Sequence, residues 1–530
     1  MNQYSEKRFR GNAPVMLAMI LAASVPGTER VHTTAGDMEG TVSADAKIRI
    51  FRGIPFAAPP VGELRWKPPL PASGWKTVLK ATKFGPRCMQ VHLYDDMFFR
   101  DNGPSEDCLT LNDWTPALSP GAHLPVMFWL HGGGDAGGSS EPRQDGENLA
   151  KKGVVVVSCN YRLGVFGFFA LPDLVKESEH HASGNYGLLD QVAALQWVRE
   201  NIAAFGGDPG NVTVFGESAG AFSVSGLMAS PLARGLFQRA IGESGAMFSD
   251  MYSVLTLAQS ERRCQKFADS LGKHTLAELR ALPADQLLQA AAKQPEDWFW
   301  RANIDGYFLP EDTRSIYASG KQSHVPLLAG WNADEQGYAD LLEKAEPTAQ
   351  NYIARLHALF QDGAESYLKF YPAGTDGEAK QSAQDLASDL FISYSTWKWI
   401  EMHAATGKSP IYRYQFDDAL PQRASVPSRG AYHSAEIEFV FDVLASKNLP
   451  WRPEDQKLSD LMSSYWTNFA KRGDPNGPGL PTWPAYGSQT HYQVMHLCAD
   501  PYSHPDEHRA RYEFLDSLPR DEAPSAPGAK

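Results

Sequence analysis

Residues 212–223 read VTVFGESAGAFS: four residues of strand character, a serine between small residues, and then a stretch able to start a helix. A strand that turns this sharply into a helix limits the possible folds more than composition does, because the turn tolerates almost no side chain on its flanks. Gly216 and Gly220 supply that room. The turn would lift the Ser218 hydroxyl above the carboxyl end of the strand. It would also set the N–H of Ala219 and a helix N-terminus beneath any negative charge that develops there. Gly-x-Ser-x-Gly with a strand before it and a helix after it is the pattern of a nucleophile elbow. A near-copy at 242–246, GESGA, lacks the final glycine, so Ser244 is not read as a nucleophile.

Similar apolar runs recur at 125–130 (PVMFWL), 154–159 (VVVVSC), 325–331 (VPLLAGW) and 411–416 (IYRYQF). Runs this short, rich in β-branched and aromatic residues, suit strands buried on both faces of a parallel sheet. Over 186–205, Leu188, Val192, Leu195, Val198 and Ile202 recur at helical spacing and mark one apolar face. Strands alternating with helices predict an α/β fold around a parallel core sheet. Residues 251–300 and 340–405 read as helices with charged faces, inserted over one end of that sheet. One domain is expected over 28–515, with a disordered tail over 516–530 that is rich in Pro, Ala and charge.

The formal charge of −13 argues against a nucleic-acid surface, which would need clustered Lys and Arg. Lys7, Arg8 and Arg10 precede the apolar run VMLAMILAA (15–23), and the small residues Ala22, Ala23 and Ser24 end it. This is the pattern of a signal peptide over 1–27, which implies a secreted or periplasmic protein. No other run approaches the ~18 apolar residues of a membrane span, so no stable membrane insertion is expected. Of five cysteines, Cys88 and Cys108 bracket a loop of about 20 residues, and a bridge closing such a loop would contribute ~3 kcal/mol in the chain-entropy picture. Cys159 reads as a buried thiol, and Cys264 and Cys498 are free to pair.

A serine hydroxyl needs a base, and the base needs an orienting group; an elbow of this kind predicts the chain order Ser, Asp or Glu, His. Upstream, FWLHGGGDAGG (128–138) follows a strand and could bring backbone N–H groups to a bound acyl group. No Lys-Ser or Lys-Thr follows these glycines, which sets a phosphate loop aside. His131, just before them, has no serine expected beside it and reads as shaping this loop.

Together with FRGIPFAAPPVGELRW, SEDCLTLN, NYRLGVFGF, GNYGLLDQVAALQWVRENIAAFGGDP, NADEQG and HSAEIEFVF, these stretches resemble the type B carboxylesterases, the family of carboxylesterases, cholinesterases and p-nitrobenzyl esterases. The resemblance runs from about residue 31 to 500 and implies an α/β-hydrolase fold: a large, mostly parallel sheet with helices on both faces and helical insertions over the active site. It implies Ser218 as nucleophile, Glu335 as the acid and His433 as the general base of a secreted serine esterase. Asp334 is the rival to Glu335, and the family pattern alone decides between them. Gln336 stands where the family usually has glycine. The resemblance also implies oxyanion donors at Gly133, Gly134 and Ala219, supporting roles near the histidine for Glu217 and Ser244, and a Cys88–Cys108 bridge. Ordinary buried hydrogen bonding would equally account for Glu217 and Ser244.

For substrate contact, Trp298 and Trp300 fall where relatives line the acyl pocket, and Tyr338 follows the acid; each could instead be core packing. The 88–108 loop holds no tryptophan, and Phe98 and Phe99 are weaker cation–π partners, so choline esters are not expected. The expected partner is a small-molecule ester. No metal or other cofactor is called for, and HPDEH (504–508) reads as a surface segment. The same triad would serve a specialised natural-product ester, a carbamate or an amide, whereas a non-catalytic adhesion member of the fold would be expected to lack the nucleophile.

Overall fold

The computed structural model describes residues 29–249, 254–294, 300–423 and 426–519. The expected signal peptide and Trp298 lie outside them, as does most of the expected tail. In chain order the main strands are β1 (Glu29–Thr33), β2 (Gly36–Val42), β3 (Arg49–Pro55), β4 (Thr110–Thr115), β5 (Leu124–Leu130), β6 (Val155–Cys159), β7 (Gly207–Glu217), β8 (Arg239–Glu243), β9 (Leu327–Asn332), β10 (Ile411–Phe416), β11 (Gln493–Leu497) and β12 (Tyr502–Pro505). They form a 13-stranded sheet ordered β1-β2-β3-β4-β6-β5-β7-β8-β9-β10-β11-β12, with Leu79–Lys80 beside β2. The central stretch from β6 to β11 is parallel, and the flanking pairs are antiparallel.

The five expected strands form as read, though β7 starts earlier, at Gly207, with a register irregularity before Val212. Every residue of β6 and β9 is buried, as a sheet covered on both faces requires. The two-residue period decides which side chain goes where. From β5, Phe128 and Leu130 pack with Leu188, Leu195 and Val198 of α1 (Tyr186–Asn201) and with Val224 and Leu227 of α2 (Ala219–Ala229). Met127 and Trp129 point the other way, into a second core with Met462, Trp466 and Phe469 of the helix Pro453–Arg472.

Both expected insertions are helical and carry cores of their own. Leu257–Ser270, Leu276–Arg280 and Ala284–Ala291 meet through Phe267, Leu279 and Leu287; Ala349–Phe360, Ala364–Leu368 and Asp376–Ser388 meet through Tyr352, Tyr367 and Leu386. Threonine caps set several of these starts: the Thr256, Thr275 and Thr375 hydroxyls accept from the N–H groups of Gln259, Glu278 and Glu378.

One sequence expectation needs correction. Arg509–Ser517 is a helix anchored by the buried Tyr512 and Leu515, so ordered chain runs past the boundary set at 515. The sequence leaves Cys264 and Cys498 unassigned; both are free thiols, as is Cys159, and Cys88 and Cys108 form the bridge (S–S 2.02 Å).

Candidate active site

Five neighbouring strands end at one place. β5 runs into the glycine loop, β7 into Ser218, β8 into Ser244 and β9 into Glu335, and the chain after β10 leads to His433. The chain leaves β5 for β6 on one side and then crosses to β7 on the other, so the carboxyl ends of β5 and β7 flank a topological switch point.

Ser218 has φ 54° and ψ −122°, a conformation L residues rarely adopt, and it caps the start of α2. The turn closes only because of its glycines: a Cβ on Gly220 would lie 2.0 Å from the Leu130 carbonyl oxygen. The Ser218 N–H donates to the Glu243 carbonyl at 2.9 Å, which ties the turn to β8. The Ser218 hydroxyl and His433 Nε2 are hydrogen-bonded at 2.9 Å, and His433 Nδ1 meets Glu335 Oε2 at 2.6 Å. Glu335 Oε1 accepts from the Ser244 hydroxyl (2.6 Å) and the Asn332 N–H (2.7 Å), so this buried carboxylate is fully engaged.

Asp334, the rival acid, is turned away. It accepts from Gln384 and from the Ala431 N–H (2.8 Å), which pins the segment carrying His433. Gln336 has no positive φ, so nothing at this position demands the glycine usual in relatives. Its backbone N–H is held by Ser388 Oγ at 3.1 Å.

Electrostatics set the state of the imidazole. Burial works against charging His433, but the carboxylates of Glu217, 3.3 Å from Nε2, and of Glu335 outweigh it and raise the imidazole to about 9. Glu217 is itself pushed up to about 7 by burial, against the pull of His433 and Arg143. Burial with Glu217 and Glu335 raises Glu436, which accepts from Asn332 Nδ2, to about 8. Neither Asn332 nor Glu436 was singled out in the sequence. Glu436 sits within the HSAEIEFVF stretch, while nothing local marks Asn332.

Across from Ser218, Gly133 and Gly134 take φ of 106° and 64°, and both face the same cavity as Ala219. His131 lies buried beneath this loop, stacked on Tyr161 at 4.3 Å, and burial lowers its imidazole to about 4. Tyr161 donates to the His131 carbonyl at 2.6 Å.

The cavity measures about 810 Å³. Phe222, Met247, Val254, Trp300, Leu390 and Phe391 give it an apolar wall, and Tyr94 to Met97 of the disulfide loop form part of the opposite side. Trp300 lies at the cavity and also packs on Phe169 and Phe267 of the helical core. Tyr338 is not among its lining residues: it opens a short helix, packs on the helical insertion and lies under Lys380 Nζ (4.9 Å), leaving Gln336 and Asp340 at the wall. Phe98 and Phe99 do not line it either; Phe98 is exposed and Phe99 stacks with Arg87. Phe391 was missed because it reaches the wall, 5.0 Å from the His433 ring, through a π-helical turn over Asp389–Ser393 that residue spacing does not reveal. Among the described residues, no group of three or more His, Cys, Asp or Glu is placed to hold a metal ion, and no helix is long and apolar enough to cross a membrane.

The profile of the carboxylesterase family matches residues 27–514. The fumonisin B1 esterase of Sphingopyxis macrogoltabida is 36% identical over 472 residues, covering 86% of this chain and 84% of that protein. The para-nitrobenzyl esterase of Bacillus subtilis (strain 168) is 37% identical over 478 residues, covering 87% and 93%. A solved structure of PNB esterase superposes with a TM-score of 0.79 at 35% identity, covering 93% of this chain and 99% of that one. With this sheet and these relatives, the chain belongs to the carboxylesterase family and is a carboxylic ester hydrolase of the α/β-hydrolase fold.

Proposed function

We propose that this esterase cleaves esters of small or medium acyl chains through an acyl-enzyme, with Ser218 as nucleophile, His433 as general base and Glu335 as the group that orients and charges the imidazole. The observation that carries the reading is the unbroken line of hydrogen bonds from Ser218 through His433 to Glu335. Ser218 attacks the ester carbonyl as its proton passes to His433 Nε2. The N–H groups of Gly133, Gly134 and Ala219 receive the oxyanion, and Glu335 stabilises the imidazolium. His433 then protonates the departing alcohol, and water repeats the sequence to release the acid. Glu217 and Ser244 support this: one adds negative charge beside Nε2, and the other holds Glu335. The apolar wall supports an apolar acyl group, and the cavity volume supports a modest one.

Acylation needs a neutral imidazole. A group raised to about 9 is protonated below that value, so the rate falls as pH drops through it and rises as pH climbs. The N-terminal segment and the Cys88–Cys108 bridge support action in an oxidising compartment, secreted or periplasmic. Hydrolysis of p-nitrophenyl esters from acetate to dodecanoate by wild type and Ser218→Ala tests the reading. Turnover that falls with chain length and vanishes in the variant is expected; equal activity in the two proteins would overturn it.

A further inference from the structure

The π-helical turn Asp389–Ser393 stands between two cavities. It joins the helices Asp376–Ser388 and Tyr394–Thr406, and the Tyr394 N–H reaches back five residues to the Asp389 carbonyl. Turns of this kind are rare, occur mostly singly within α-helices, and are frequent at functional sites. Its side chains divide by polarity. Leu390, Phe391 and Ile392 face the active-site cavity, while Asp389 and Ser393 line a smaller one of about 300 Å³ on the other side. The Phe391 ring lies 5.0 Å from the His433 ring, at 75° to it. His433 is itself 2.9 Å from Ser218, so Phe391 stands beside the reacting centre rather than at the far end of the cavity.

What holds the turn lies behind it. Asp389 is buried, and its carboxylate accepts from the Tyr371 hydroxyl at 2.9 Å. Arg511, from the C-terminal helix Arg509–Ser517, sets Nε 3.2 Å from the same carboxylate and donates through Nη1 to Asp385 at 2.6 Å. Asp385 and Asp389 are four residues apart and share one helix face, so a single guanidinium grips the end of the α-helix and the start of the π-turn. A slip of one residue in helical register turns every following side chain by about 100°. The clamp on Asp389 therefore bears on the direction of Phe391, two residues on.

We propose that Phe391 is a specificity-determining residue that stops the apolar chain of the ester beside the base, and that Arg511 is its positioning residue, acting through Asp389 and the π-turn. The inference rests on the proposed use of this cavity by Ser218 and His433, and adds what limits chain length within it.

Two ester series test this. p-Nitrophenyl esters from acetate to dodecanoate lengthen the acyl side, and acetates of linear alcohols from ethanol to decanol lengthen the other. The quantity read in each is kcat/KM for the octanoyl or octyl member relative to the shortest member. This ratio is internal to one preparation, so it does not depend on how much of the protein is folded. Phe391→Ala should raise it on the order of tenfold or more in one series, because the vacated space admits further methylenes. Arg511→Gln should move it the same way in the same series. Asp389→Asn with Arg511→Gln, which leaves no buried carboxylate unpaired at the turn, is read alike. Adding Arg511→Gln to Phe391→Ala should change nothing further, since the side chain it positions is gone. A Phe391→Ala ratio equal to that of the wild type in both series overturns the proposal. An Arg511→Gln ratio that does not move, or whose change persists at full size in the Phe391→Ala background, overturns the role of Arg511. Hydrolysis by Ser218→Ala at the wild-type rate would instead sink the triad, while the ratios would still decide Phe391.

Discussion

The chain contains two nearly identical pentapeptides, GESAG at 216–220 and GESGA at 242–246, side by side in the sheet. β7 and β8 pair in parallel with Gly216 opposite Gly242 and Glu217 opposite Glu243, so the second is the first moved over by one strand. Both serines sit at left-handed φ, 54° and 53°, just beyond the end of a strand. Yet Ser218 faces the imidazole and Ser244 faces the carboxylate behind it. The difference begins after the serine. Gly220 lets α2 start against the Leu130 carbonyl, leaving Ser218 at the lip of the cavity, whereas Gly245 (φ 157°) carries the chain away without a helix there. The preceding glutamates diverge too: Glu217 flanks His433, while Glu243 lies deeper and accepts from Trp466 Nε1 at 2.7 Å. Under the proposed mechanism, the same local sequence yields a reacting group or a bracing group, depending on what the next two residues permit.

Substitutions can break this pairing in order of effect. Ser218→Ala should lower kcat/KM on p-nitrophenyl esters by roughly four to six orders of magnitude, since removing a triad nucleophile leaves only binding and oxyanion stabilisation. Gly220→Ala drives a Cβ into the Leu130 carbonyl; denaturant titration should show a loss of about 1–3 kcal/mol, with the elbow and most activity displaced along with it. Ser244→Ala leaves Glu335 Oε1 with the Asn332 N–H alone, and kcat should fall about 10–100-fold with KM little changed. A loss as large as that of Ser218→Ala would show that the two serines are not divided in role as described.

The glutamates give the subtler contrast. Glu217→Gln removes one of the three carboxylates, with Glu335 and Glu436, that hold the proton on His433, so the acid limb of the kcat/KM profile should move to lower pH by about one unit. A limb that stays in place would show that Glu217 does not help set it. Glu243 is held well above the usual carboxyl range by burial and by Glu436. Glu243→Gln keeps an acceptor for Trp466, and urea titration should register a change within about 1 kcal/mol.

What could be read from the sequence follows how local its cause is. The elbow was legible because strand, turn and helix are consecutive, and the decoy failed for a local reason, its missing final glycine. β5, β6, β9 and β10 were legible as short runs rich in β-branched and aromatic residues between turn residues. β8 was not: RAIGE holds two apolar residues of any size, and Gly242 is required by Trp399, whose ring would lie 2.2 Å from a Cβ there. The antiparallel strands from β1 to β3 were missed because they mix polar and apolar residues without a strong run. In the site, Glu335 and His433 came from the family resemblance and the glycine loop from its own residues, whereas Asn332 depends on its partner Glu436, Phe391 on the π-helical turn that carries it, and the direction of Tyr338 on the distant helical insertion.

The row of strand ends also governs when the molecule becomes active. Ser218 and His433 stand 215 residues apart in the chain, with Glu335 between them. A chain emerging from its N-terminus has its nucleophile seated on β7 long before β10 exists to carry the base. Under the proposed triad, ester turnover therefore reports that the strands from β5 to β10 stand side by side. On that reading the growing chain has no triad until the segment after β10 has been made.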